Sequence, residues 1–140
     1  MLYSSSITIP ANTAEASPTT QIMKVSKGVI TRVMVRPRPG HAGLAHLTIL
    51  LHEYQLYPTN PDGTLAGDQF PIDWNDHEEL TSEPFELKLA GWNDDDTFEH
   101  TFDVYVAIIP RADTPGEILR QAMVDLLRTL IPRRGILGGN

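Results

Sequence analysis

The sequence predicts an all-β fold, an antiparallel β-sandwich of jelly-roll type followed by one C-terminal amphipathic helix. Three observations carry that expectation. In residues 83–110, Phe85, Leu87 and Leu89 alternate with Glu86 and Lys88, and Phe98, His100, Phe102, Val104, Val106 and Ile108 alternate with polar or outward-facing partners. That period of two is what a strand shows when one face is buried and the other is wet. About seven such segments follow one another with Gly, Pro and Asn turns between them and no helix that could make a βαβ crossover. Only after residue 113 does the apolar spacing change to three and four.

Taken in order, a short strand covers residues 5–9 and is stopped by Pro10, after which ANTAEASPTT has the composition of a loop. Residues 21–26 and 29–36 are strands flanking a turn or bulge at Lys27-Gly28, with Val29, Thr31, Val33 and Val35 expected on one face. Residues 45–57 form one long strand with Leu47, Ile49 and Leu51 on one side and His46, Thr48, Leu50, His52 and Tyr54 on the other. The loop PTNPDGTLAGDQFP contains the turn pair Asp62-Gly63. A short strand at 72–74 precedes two long strands, which the alternation in 83–110 joins as a hairpin through the acidic turn Asn93-Asp94-Asp95-Asp96.

The tail opens on a capping box, with Thr114 as N-cap, Pro115 at the first helical position and Glu117 returning to the cap amide. The helix is expected to run to residue 131 and to end at Pro132. Ile118, Leu119, Ala122, Met123, Leu126, Leu127 and Leu130 fall on one stripe, opposite Arg120, Gln121, Asp125 and Arg128. Residues 1–112 are thus expected to form the sandwich, and 113–140 a helix and tail acting as an assembly arm.

A chain of 140 residues fits one domain and buries roughly two-thirds of its unfolded surface. It has no cysteine, which removes disulfides, thiolate catalysis and cysteine-held metals. Its start lacks the basic and apolar regions of a secretion signal, and no stretch approaches the ~20 apolar residues of a membrane span. The net charge of −7 speaks against general nucleic-acid binding. That charge is segregated: residues 1–52 carry +4, residues 53–110 carry −13 and residues 111–140 carry +2. Either basic and acidic segments neutralise one another inside one molecule, or they meet between neighbouring subunits.

Several clusters carry groups capable of chemistry. The acidic turn suggests a calcium site with Asp94 and Asp96 as ligands, because a hard cation relieves carboxylate repulsion. It lacks the glycine and distal glutamate of an EF-hand, and DWNDHEE fails the same comparison. Solvated Asn and Asp capping their own backbone amides are the plainer account. The histidines do not share metal spacing: His46 and His52 lie about 20 Å apart along one strand, His41 and His77 fall in loops, and His100 sits on an apolar face. Neither a nucleophile elbow nor a phosphate loop is present, and nothing selects a carboxylate pair for glycoside hydrolysis, so an enzyme is not expected. Trp74 and Trp92, with Tyr54 and Tyr57, could stack on sugar rings or pack at strand edges. The helix stripe can cover its own sandwich, dock on a neighbour, or, with Arg133 and Arg134 beside it, rest on an anionic lipid surface.

The segments SITIPANT, KGVITRVMV, HEYQLYPTNPDG and WNDDDTFEHTFDVYVAIIP give the chain a resemblance to small β-sandwich virion proteins of bacterial or archaeal viruses. The resemblance implies a jelly-roll subunit, made in the host cytoplasm, that joins the virion as a minor capsid, vertex or decoration protein. It implies a homo-oligomer in contact with other capsid proteins, without catalytic residues or an obligatory cofactor. The alternative function is a carbohydrate- or calcium-dependent binding module.

Overall fold

The computed structural model describes residues 1–111 and 115–138, with helix side chains described for residues 119–130. Eight strands appear in chain order: β1 (Leu2–Ile9), β2 (Thr19–Lys24), β3 (Gly28–Pro37), β4 (Ala45–Leu51), β5 (Tyr54–Tyr57), β6 (Ile72–Leu80), β7 (Glu86–Asn93) and β8 (His100–Pro110). They form two four-stranded antiparallel sheets, one ordered β1-β8-β3-β6 and the other β2-β7-β4-β5. Every connection crosses from one sheet to the other except β4 to β5. This double-sheet order of eight strands is the jelly roll. The helix α1 (Pro115–Gly138) follows. Residues 1–110 and 111–140 form two compact units.

The core is mainly hydrocarbon, with His41 and His100 buried toward one end. Ile9, Ile30, Val33, Val35, Leu47, Ile49, Leu87, Leu89, Phe102 and Val104 are completely buried between the sheets. β8 is the longest strand and pairs on both sides, with β1 and with β3, which explains why its alternation is the clearest in the sequence. Each of its inward residues from His100 to Ile108 is buried, and its period of two survives without interruption.

The structure corrects several expectations. The two long strands in residues 83–110 are not a hairpin: β7 pairs with β2 and β4, and β8 pairs with β1 and β3. Their acidic connection spans the gap between sheets, roughly 10 Å in a sandwich. Phe98 lies in that connection and is 66% exposed rather than inward. Residues 45–57 split at His52 and Glu53, whose φ values of 50° and 69° make a tight hairpin turn. Successive left-handed residues define a type I′ turn, usually built with Asn-Gly, and neither residue here advertises it.

In β3 a register shift between Ile30 and Arg32 exchanges the faces. Gly28 and Ile30 point inward before it, and Val33 and Val35 after it, so Val29 and Thr31 do not join the latter two. The strand at 72–74 extends to Leu80, and DWNDHEE lies within edge strand β6 rather than a loop, which also places His77 on a strand. The helix continues through Pro132 to Gly138 instead of stopping there. The proposed N-cap, Thr114, lies outside the described residues, as do the side chains of Pro115 and Glu117.

Candidate functional site

Four connections meet at one end of the sandwich: residues 10–18, 38–44, 58–71 and 94–99. Backbone hydrogen bonds tie them to one another. Asn12 N–H donates to the Asp95 carbonyl (2.8 Å), Gly43 N–H to Gly67 (3.2 Å) and Asp94 N–H to Leu44 (2.9 Å). The Asp68 carboxylate accepts from the Gly40 and Ala42 amides at 2.8 and 3.1 Å. Those two amides hold its carboxyl below the usual carboxylate range. This end of the molecule is therefore a fastened surface, although most of it is loop.

The acidic turn is fastened by its own side chains. Asn93 is buried, and its amide nitrogen donates to the carbonyls of Ile9 (3.3 Å) and Phe98 (2.9 Å). Asp95, the middle acid, accepts from the Thr97 and Phe98 amides at 2.9 and 3.2 Å and from His100 Nε2 at 2.8 Å. The Thr97 amide first, and His100 next, hold its carboxyl below the usual range. Asp94 takes a 3.0 Å contact from His46 Nε2, and Asp96 accepts from the Thr97 hydroxyl at 2.8 Å. The two residues expected to share a cation, Asp94 and Asp96, thus turn to different partners. Among the described residues no group of three or more His, Cys, Asp or Glu is placed to hold a metal ion. The arrangement is the Asx-capped turn, which answers carboxylate repulsion with N–H donors.

Two histidine rings sit beneath this turn. His41 and His100 have centroids 4.7 Å apart, and His41 meets Phe102 edge-on at 4.7 Å. His41 Nε2 donates to the Thr101 carbonyl at 2.8 Å, which leaves Nδ1 as a bare, buried acceptor without a partner. Burial pushes the His41 pKa down, and neighbouring His100 adds to the effect. His100 and Asp95 make a buried imidazole-carboxylate pair, and among the described residues no serine or threonine hydroxyl is bonded to His100. Chemically the pair can orient the 94–99 loop. Sequence reading missed His41 as a core residue, since a histidine between Gly40 and Ala42 carries no periodic signal.

The aromatic candidates do not come together. Trp74 belongs to β6 in one sheet and Trp92 to β7 in the other. Trp92 is half-buried with one face stacked on His46, at 5.2 Å and 17°. Trp74 packs against the core and meets Tyr57 edge-on at 5.1 Å. Tyr57 is buried and donates its hydroxyl to Asp76, so of the four aromatics only Tyr54 stands exposed. Burial and Asp76 raise the Tyr57 pKa far above its ordinary value. Three of the four rings thus have packing partners within the molecule, and the two tryptophans lie on different sheets.

Two ion pairs join the basic segment to the acidic one within the molecule. Arg32 on β3 forks onto Asp73 on β6, and Arg38 forks onto Asp103 at 3.0 and 2.9 Å, where Ser6 adds a hydroxyl at 2.7 Å. Arg38 chiefly, then Ser6, keeps the Asp103 carboxyl below the usual range. Inside the acidic segment itself, Lys88 reaches Glu53 at 3.3 Å.

In the helical unit the stripe is open. Leu119 is 63% exposed, Met123 56%, Leu126 58%, Leu127 55% and Leu130 40%, and Ala122 is exposed as well. The side chains of Ile118, Arg133 and Arg134, the remaining members of the expected contact surface, lie outside the described residues. Among the described residues no helix is long and apolar enough to cross a membrane. No protein-family model matches the chain, and a search of curated proteins finds no match to it.

Proposed function

We propose that this protein is a non-enzymatic virion structural subunit, a minor capsid, vertex or decoration protein that acts through contacts between subunits. The observation that carries the reading is the jelly-roll strand order, which viral shell proteins share with lectins and cupins. A fold alone does not choose among those functions, so the chemistry of the surfaces must. Cupin chemistry needs several polar donors converging in the interior, and here the interior is filled mainly by Leu, Ile and Val, with His41 and His100 at one end bonded to Thr101 and Asp95. A lectin platform needs an open aromatic face, and Trp92 and Trp74 are occupied by His46 and Tyr57. What the molecule offers outward is apolar surface for protein contact: the α1 stripe, and Phe70 and Phe98 at 77% and 66% exposure on the fastened loop end. A virion setting in particular is supported by the resemblance of the strand segments to small shell proteins.

On this reading the full chain forms a defined oligomer at micromolar concentration in native mass spectrometry, and Leu119→Glu with Leu126→Glu dissolves it or weakens it by at least about tenfold. A strictly monomeric wild-type chain, with the double variant indistinguishable from it, would count decisively against the proposal.

A further inference from the structure

The two sheets have four edges, and three are defended. β6 carries Asp73, Asp76, Glu78 and Glu79 along an edge that would oppose carboxylates if it met a copy of itself. β5 has only four residues, and β2 has six, entered through Pro18 and ending at Lys24. Short strands, charges and prolines are the usual means of keeping an edge from recruiting another strand. β1 has none of them: LYSSSITI is eight residues long, uncharged, free of proline and paired with β8 in unbroken register from Leu2 to Ile9.

The direction of its free groups follows from one pair of bonds. Met1 N donates to the Ile108 carbonyl at 2.6 Å and Ile108 N donates back to Met1 at 2.7 Å. That reciprocal exchange marks a hydrogen-bonded pair, so alternate residues Tyr3, Ser5, Ile7 and Ile9 also turn their backbone groups to β8. Leu2, Ser4, Ser6 and Thr8 then direct N–H and C=O away from it, toward the open edge. The β8 partners agree: the carbonyls of Ala107 and Thr101, opposite Leu2 and Thr8, accept from Thr31 and Arg38 on the far side.

We infer that β1 is a pairing edge for β1 of a second copy of this chain, antiparallel about a two-fold axis at Ser5. The occupant is a second copy because the free groups are self-complementary. With the axis at Ser5, Leu2 faces Thr8 of the second copy and Ser4 faces Ser6, so every outward group meets its counterpart in a narrow pair. The side chains brought opposite are serine hydroxyls, a leucine-threonine pair and a tyrosine-isoleucine pair, with no like charges, on a chain whose other long edge is acidic. The result is one continuous eight-stranded sheet across two molecules. Strand pairing alone buries less than the ~1,200 Å² of a standard interface, so the association is concentration-dependent.

The test uses the full chain. Ser4→Pro removes an N–H that β8 does not use, a substitution an edge strand tolerates. It is expected to weaken dimerisation at least about tenfold in sedimentation equilibrium, with an unchanged circular dichroism spectrum and melting temperature, whereas Ser4→Thr keeps the dimer. Because the chain has no cysteine, Ser5→Cys gives a positive readout: it forms a covalent dimer on mild oxidation, and Asn75→Cys on β6 does not. An oligomer indifferent to Ser4→Pro, with no covalent dimer from Ser5→Cys, overturns the edge proposal. If that same oligomer yields to Leu119→Glu with Leu126→Glu, the virion reading stands without it. If the helix variant still dimerises through Ser5→Cys, the edge acts independently of α1.

Discussion

The sandwich interior and the α1 stripe are both apolar faces written with the correct period, yet they have opposite fates. Leu87 and Leu89 are completely buried, and Leu119 and Leu126 are 63% and 58% exposed. The difference teaches that periodicity reports which face is apolar and not what covers it. In the sandwich the second sheet supplies the cover. Within its own unit α1 supplies no such cover, and on the proposed reading another subunit does, so the two faces are expected to respond differently to mutation.

The largest effect is expected at Phe102, fully buried on β8. Phe102→Ala should cost about 3–5 kcal/mol in urea unfolding, from lost burial and the cavity left behind. Next is Gly28, where a Cβ would stand 2.3 Å from the Ile109 carbonyl oxygen. Gly28→Ala should cost about 1–3 kcal/mol, since the neighbour it would strike is backbone of the paired strand β8 and not a flexible side chain. Tyr57→Phe keeps the ring in place and removes only the bond to Asp76, which is exposed and can rehydrate, so about 1 kcal/mol is expected. At the other extreme, Leu126→Ala should leave unfolding of the isolated subunit within about 0.5 kcal/mol while weakening its oligomer. A loss at Leu126 as large as that at Phe102 in dilute protein would mean the stripe is covered within one molecule, and the contrast would fail.

Acid gives a finer probe of the same contrast. Burial depresses the His41 pKa below its ordinary 6.5, so the unfolded chain takes a proton there more readily than the folded one. The associated stability is intact above pH 6.5 and is lost as pH falls through that value toward the depressed one. Asp68, Asp95 and Asp103 are also depressed, and their contribution stays in place until pH falls below about 3.8. The melting temperature of the sandwich should therefore drop between pH 7 and 5. His41→Phe should flatten that slope, whereas the leucine substitutions in α1 should leave it unchanged.

Particular residues explain what could be read in advance. The alternation of Leu87, Leu89, Phe102, Val104 and Val106 made two half-buried strands legible, but it was equally compatible with a hairpin. Pairing partners are set by long-range geometry, and an Asx-capped turn such as 93–99 joins strands across sheets as readily as along one. β6 escaped notice beyond Trp74 because an edge strand buries little, and its exposed Asp73, Asn75, His77 and Glu79 resemble a loop. Of the candidate surface, the α1 stripe was legible from its spacing. The fastened loop end was not, because its bonds join residues as far apart as Asn12 and Asp95.

By itself, then, the sequence determined an all-β chain, a hydrocarbon core, an amphipathic C-terminal helix and the absence of cysteine chemistry, because each follows from local composition and period. Only the tertiary structure decided the jelly-roll order, the pairing of Arg32 with Asp73 and Arg38 with Asp103, and the dismissal of a joint site for Trp74 and Trp92. It also left β1, among the described strands, as the one edge without charge, proline or shortness to defend it. Each of these depends on which distant segments become neighbours, and a period of two is silent about that.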